Sequence, residues 1–130
     1  MDRVLVVDWD VHHGDGIQDM FYGDARVMYV SLHRYGGGFY PGTGAAGETG
    51  AGAGAGYTVN VPFQAKGLGD AEYLAALDLA VMPVARQFDP QLVVVAAGFD
   101  AAEGDPLGGM QVSRAGYCRM AGRLLTLAGG

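Results

Sequence analysis

The sequence predicts an α/β fold built on a parallel sheet covered by helices on both faces, a three-layer α/β/α arrangement. Three observations carry that reading. Four short apolar runs rich in β-branched residues, Val4 to Val7, Val27 to Val30, Tyr57 to Val61 and Leu92 to Ala97, read as strands. The first and last lack two-residue alternation, as expected of strands buried on both faces. Helical or irregular segments separate the runs, which is the alternation a parallel sheet requires.

Between the third and fourth runs, Asp70 to Phe88 reads as a helix. Tyr73, Leu74, Leu77, Val81, Val84 and Phe88 recur there at three- and four-residue spacing. Asp70 is its expected N-cap, with Tyr73 where a capping box would carry Glu. Pro83 falls inside the span and predicts a kink or an early end, because it has no N–H to donate. Ser113 to Leu127 reads as a second helix, capped by Ser113, with Gly129-Gly130 after its end resembling a truncation before a further strand. Gly36 to Gly56 has no hydrophobic period and contains Gly50-Ala-Gly-Ala-Gly-Ala-Gly56. That run is too short for a fibre and reads as a surface loop, functional or mobile.

The 130 residues make one domain or part of one, and half of them are apolar. A net charge of −6 argues against direct binding of nucleic acid through phosphates. It suits a basic partner such as a lysine-rich tail, and is equally ordinary for a soluble enzyme. The one cysteine, Cys118, excludes an internal disulfide and a thiolate zinc cluster. No signal peptide is visible and no apolar run approaches the roughly 18 residues that span a bilayer, so a soluble intracellular protein is expected.

Polar residues gather at the carboxyl ends of three strands, where open α/β sheets bind ligands. The first strand runs into Asp8-Trp-Asp-Val-His-His-Gly-Asp15, the second into Ser31-Leu-His33 and the fourth into Gly98-Phe-Asp100. In extended chain Asp8, Asp10 and His12 share a face, and Asp100 would join them from the neighbouring strand. Two aspartates and one histidine with an open fourth position suit a catalytic zinc. Such oxygen-rich ligands also accept iron or manganese. Each residue has a plainer reading when taken singly, since Asp10 or Asp15 could cap a turn or helix and His12 could be a satisfied structural histidine. Two aspartates and a His-His pair abutting one apolar strand favour a site.

The same residues resemble a known family. Asp8-Trp-Asp-Val-His-His-Gly-Asp-Gly16 is similar to the signature of zinc-dependent histone deacetylases. Ser31-Leu-His-Arg-Tyr35, Phe39-Tyr-Pro-Gly-Thr-Gly44, Asn60-Val-Pro62, Ala97-Gly-Phe-Asp-Ala-Ala102 and Gly104-Asp-Pro-Leu-Gly108 extend the likeness along nearly the whole chain. The wording is most similar to the class II branch, and it implies a partial arginase–deacetylase fold over residues 1–130. The resemblance implies Asp10, His12 and Asp100 as zinc ligands, with Asp8 and Asp15 orienting two catalytic histidines. It implies one potassium site from the Asp8 and Ser31 side chains with main-chain oxygens of Asp8, Asp10, His12 and Leu32. A second would use main-chain oxygens of Phe21, Asp24, Val27 and Tyr57. Tyr40 matches an aromatic wall of the acyl-lysine tunnel, where the family more often has phenylalanine, and Leu107 matches its rim.

The implied reaction is hydrolysis of acetyl-lysine, on histones or other proteins, to lysine and acetate, with zinc, a histidine base and a tyrosine hydroxyl. It also implies corepressor partners and a nuclear or cytoplasmic location, without membrane association. The family's His-His pair and Gly-Gly-Tyr tyrosine have no counterparts in these residues, so the 130-residue chain alone is expected to have little or no deacetylase activity. A binuclear manganese ureohydrolase is disfavoured because Gly14 and Ala102 stand where bridging carboxylates are needed. A small-amide or acetylpolyamine hydrolase of the same fold, or a non-catalytic interaction module, remain alternatives.

Overall fold

A computed structural model of the chain describes residues 1–129; Gly130, the last residue of the expected truncation point, lies outside them. The elements are β1 (Val4–Asp8), α1 (Asp15–Phe21), β2 (Val27–Arg34), β3 (Thr58–Phe63), α2 (Asp70–Ala76), α3 (Met82–Phe88), β4 (Leu92–Ala96) and α4 (Arg114–Leu124). The four strands form one parallel sheet in the order β3-β2-β1-β4. All four apolar runs are therefore strands, each with a shift of boundary: β1 takes in Asp8 and β4 stops at Ala96. β2 continues through Ser31, Leu32 and His33 to Arg34, so those residues lie within the strand and not beyond it. β3 begins one residue late and extends to Phe63. Helix α1 has no sequence forecast, because seven residues span too few turns for an apolar period to register.

One sheet face packs Leu5, Val7, Met28 and Val30 against Tyr73, Leu77, Val81, Met82 and Ala85 of the α2–α3 segment and against Tyr117 and Met120 of α4. Each such side chain contributes about 1.5–3 kcal/mol on burial. The opposite face carries Tyr29, Ser31 and His33, all buried. α1 packs against β2, and the glycine-rich loop closes over His33 through Gly44. On β4, Leu92 and Val94 are exposed, so the second helical layer is partial.

The predicted 70–88 helix forms as one path with a defect. Leu77–Val81 is a π-helical turn between α2 and α3, in which Met82 N–H reaches Leu77 O. Pro83 stands two residues after the turn, where it can donate no N–H to a regular helical ladder and its ring crowds the carbonyl four residues back. Asp70 is not the N-cap. Gly69 holds that position, and the Glu72 carboxylate accepts from the Gly69 N–H at 2.8 Å, which moves the reciprocal bond one residue earlier than expected. Asp70 instead accepts from the Ser113 N–H at 2.7 Å and from the Ser113 hydroxyl. Ser113 caps α4 as expected, its hydroxyl accepting from Gly116 N–H at 3.0 Å, and the helix ends at Leu124.

The glycine-rich loop is tied down. Ala51 N–H donates to Tyr22 O and Gly56 N–H to Thr49 O, around a single 3₁₀ turn at Gly52–Gly54. Its glycines let backbone lie on backbone: a side chain at Gly54 would overlap Tyr22 O.

Candidate metal centre

Parallel pairing sets Asp8 beside Ala96, so β1 and β4 end together. Beyond Asp8 the chain bends and is no longer extended. The Asp10 N–H donates to Asp8 Oδ1 at 3.1 Å and the His12 N–H to Asp10 Oδ1 at 2.7 Å. These are two successive turns in which an aspartate bonds the backbone two residues on. The shared face of an extended strand is thus not what brings Asp10 and His12 together. Side-chain competition for the backbone does so, by curling the chain.

Asp100 arrives from the loop after β4. Its Oδ1 accepts from the Val11 N–H at 2.8 Å, which locks the loop to the curl. Its Oδ2 lies 2.8 Å from His12 Nδ1, and Asp10 Oδ1 lies 3.2 Å from the same nitrogen. Asp10, His12 and Asp100 each offer one ligand atom, and these atoms lie within 4.8 Å of one another. All three residues are half-buried, so the cluster is open to a substrate on one side. Two carboxylates and an imidazole converging on one point fit a single hard-to-borderline divalent cation, and zinc among them.

Two glycines make this convergence possible, and the sequence reading assigned them no role. A Cβ at Gly98 would overlap the Asp10 carboxylate, and one at Gly108 would overlap Asp100 O. Both lie in the quoted motifs, but the reason for glycine is visible only when two loops meet.

The cluster opens into a cavity of about 510 Å³. Asp8, His13, Ile17, Tyr40 and Gly98 contribute to its wall. Tyr40 is exposed and stands edge-on to His12 with ring centroids 6.3 Å apart. Phe39, which sequence reasoning left without a role, stacks on the His12 imidazole at 4.9 Å and an interplanar angle of 8°. Leu107 is exposed and is not part of the wall, although its N–H is held by Asp105 Oδ1 at 2.9 Å. Asp15 sits exposed at the start of α1, accepting from Gly16 N–H, and does not reach the cavity wall.

Behind the ligands the polar groups are buried and paired. Asp8 Oδ2 accepts from the Tyr29 hydroxyl at 2.8 Å. Burial pushes the Asp8 carboxyl up to about 6, against the pull of that hydrogen bond. Ser31 stands beside Asp8 in the β1–β2 register. His33 Nε2 donates to Gly44 O at 2.8 Å, which leaves Nδ1 to accept from the Ser31 hydroxyl at 2.7 Å. Burial lowers His33 to about 4, so it stays neutral. His13 is held at both nitrogens, by Thr43 Oγ1 at 2.7 Å and Gln18 Oε1 at 2.9 Å. With every ring nitrogen engaged, His13 and His33 are framework and not bases. Of the main-chain oxygens named for a second potassium ion, three accept hydrogen bonds around the start of β2. Phe21 O accepts from Asp24 N–H, Asp24 O from Val27 N–H and Tyr57 O from Tyr29 N–H.

An Asp-x-His arm and a second carboxylate, gathered at the carboxyl ends of a parallel sheet, form a candidate metal centre where an arginase–deacetylase fold would carry one. The sequence profile described as the histone deacetylase domain matches residues 1–130, and the chain belongs to that family. It is 54% identical to histone deacetylase 15 of Arabidopsis thaliana, over 98% of this chain and 23% of the relative. It is 56% identical to histone deacetylase 7 of Homo sapiens and 53% identical to histone deacetylase clr3 of Schizosaccharomyces pombe, again over 98% of this chain. The matches cover 14% and 19% of those relatives, so the chain spans less than a quarter of any of the three. The solved structure of the histone deacetylase Clr3 superposes with a TM-score of 0.96 at 53% identity, over 98% of this chain and 22% of that one. The HDA15 HD domain does so with the same score and identity, and 36% of its chain is covered. These relatives fit the class II-like wording of the motifs.

Proposed function

We propose that this chain supplies the metal-ligand core of a zinc-dependent protein lysine deacetylase, which hydrolyses acetyl-lysine to lysine and acetate. The observation that carries the reading is the convergence of Asp10, His12 and Asp100 on one point beside an open cavity. Those three residues would hold zinc, which when bound polarises an amide carbonyl and lowers the pKa of a coordinated water. The protein's own residues do the rest. The bonds from Val11 N–H to Asp100 and from His12 N–H to Asp10 hold both carboxylates in place before substrate arrives. Phe39 holds the imidazole plane, and Tyr40 offers an aromatic wall for the aliphatic stem of an acylated lysine. Leu107 borders the approach from outside the wall. The three histidines of the chain are a ligand and two framework groups, so the general base and the oxyanion-binding hydroxyl belong to segments other than these residues. Asp8 and Asp15 would orient such bases.

Two potassium ions complete the proposal. The buried Asp8 carboxylate has no basic side chain among its hydrogen-bond partners, and a monovalent cation held by Asp8, Ser31 and the carbonyls of Asp10, His12 and Leu32 would offset its burial. Around the start of β2, Phe21, Asp24, Val27 and Tyr57 carbonyls would hold the other. The substrates are acetylated lysines of histones or other proteins, with corepressors as partners, and the work is done in the nucleus or cytoplasm.

The test is calorimetric zinc titration of the whole protein and of Asp100→Ala, alongside hydrolysis of an acetyl-lysine peptide. One zinc per chain and peptide turnover, both lost in the variant, are expected. Zinc bound equally by the variant would sink the ligand assignment; zinc binding without turnover of any acetyl-lysine peptide would sink the substrate class.

A further inference from the structure

One guanidinium touches both the loop that brings Tyr40 to the cavity wall and the loop that packs on Asp100. Arg34 is the last residue of β2, and its backbone is anchored by a 2.8 Å bond from its N–H to Val11 O, inside the ligand curl. Its side chain lies over the Phe39 ring, with Cζ 4.2 Å from the centroid. Phe39 is also stacked on the His12 imidazole, with ring centroids 4.9 Å apart and the planes nearly parallel. Phe39 therefore links the Arg34 cation to the His12 imidazole through one ring. The Nη1 of the same guanidinium donates to Gly108 O at 3.2 Å. Gly108 packs directly on Asp100 O and follows Leu107 in the chain.

We infer that Arg34 is a positioning residue for this centre. It clamps the Phe39–Tyr40 loop and the Asp105–Gly109 loop together, so that His12 and Asp100 keep their aim and the acyl-lysine stem meets a preformed wall. The chemistry calls for arginine. A planar guanidinium lies flat on an aromatic ring and still projects an N–H in its own plane towards a carbonyl. An ammonium can do one or the other. No carboxylate pairs with Arg34 among the described residues, so neither contact is a by-product of a salt bridge. Phe39 cannot turn without disturbing its contacts with the guanidinium and the imidazole. Tilting of the imidazole, which would withdraw Nδ1 from Asp10 and Asp100, is opposed by the same stack.

The substrate part of this inference rests on the deacetylase reading; the ligand part does not, and the experiment separates them. In the whole protein, Arg34→Met keeps the stem and removes the cation and its donors, while Arg34→Lys keeps the charge. Zinc affinity, measured by competition with a chromophoric chelator, is expected to fall roughly tenfold in Arg34→Met and to be only partly restored in Arg34→Lys. With an acetyl-lysine peptide, KM is expected to rise roughly tenfold in Arg34→Met while kcat changes less, the mark of lost substrate positioning. Unchanged zinc affinity in a folded Arg34→Met protein overturns the inference, whether or not the peptide is a substrate. A lower Tm with zinc affinity, KM and kcat all unchanged overturns it too, because a merely structural arginine would behave in that way. Absence of peptide turnover by the wild type would count against the deacetylase reading and leave the affinity comparison to decide on Arg34.

Discussion

Glycine 98 shows how much of the centre depends on atoms that are missing by design. Its lack of a Cβ leaves room for the Asp10 carboxylate, and a methyl group there would overlap Oδ2. Gly98→Ala should therefore displace a metal ligand without removing it. We expect zinc affinity to fall at least tenfold, by titration of the whole protein, while the fold persists by circular dichroism. A variant with wild-type affinity would mean that the β4 loop yields more easily than the packing indicates. The same logic explains why the convergence of Asp10 and His12 is legible in the sequence while its geometry is not. Spacing of two residues suggests alternation along a strand; the Asp8 and Asp10 carboxylates accept from the backbone N–H two residues on and curl the chain instead.

At the scale of elements, the join between α2 and α4 is polar and acid-sensitive. Asp70 binds the Ser113 N–H and hydroxyl, and Asp78 on the π-helical turn binds the Arg123 guanidinium. The Ser113 hydroxyl and N–H hold Asp70 below the usual carboxylate range, and Arg123 does the same for Asp78. A depressed folded-state pKa means stability that is present above the unfolded value near 3.8 and lost as the pH falls below it. Denaturant midpoints of the wild type should drop below about pH 4 more steeply than those of Asp70→Asn, in which the titrating partner is gone. Ser113→Ala removes both the cap on Gly116 and a donor to Asp70, and should cost about 1–2 kcal/mol by the same measurement. No loss in either variant would mean that apolar packing alone joins the two helices. Asp70 also illustrates a limit of local pattern. It is the first residue of α2 and looks from the sequence like its cap, but its partner is 43 residues away.

For the whole molecule, the sheet is a frame that puts the β1 and β4 ends side by side, where the proposed cation would join them. Binding to the folded state alone stabilises by mass action, about 2.7 kcal/mol at a hundredfold excess over Kd. Chelation of the whole protein should lower its Tm, and added zinc should restore it. A Tm indifferent to chelator would mean that the ligands are held by protein contacts without help from a metal. The open edges of β3 and β4, with Leu92 and Val94 exposed, are why this measurement belongs on the whole protein.

By itself, the sequence determined the strands, the helical α2–α3 segment, the α4 cap at Ser113 and the identity of the three converging residues. Apolar periodicity and motif spacing are local properties, and they survive any arrangement of the rest. Tertiary structure alone decided that Gly98 and Gly108 must lack side chains, that Phe39 and not only Tyr40 faces His12, and that Arg34 reaches two loops. Those facts concern which surfaces meet across the chain, as Asp100 and His12 do over 88 residues and Arg34 and Gly108 over 74. Contacts of that kind are set by the register of parallel strands, which no single segment encodes.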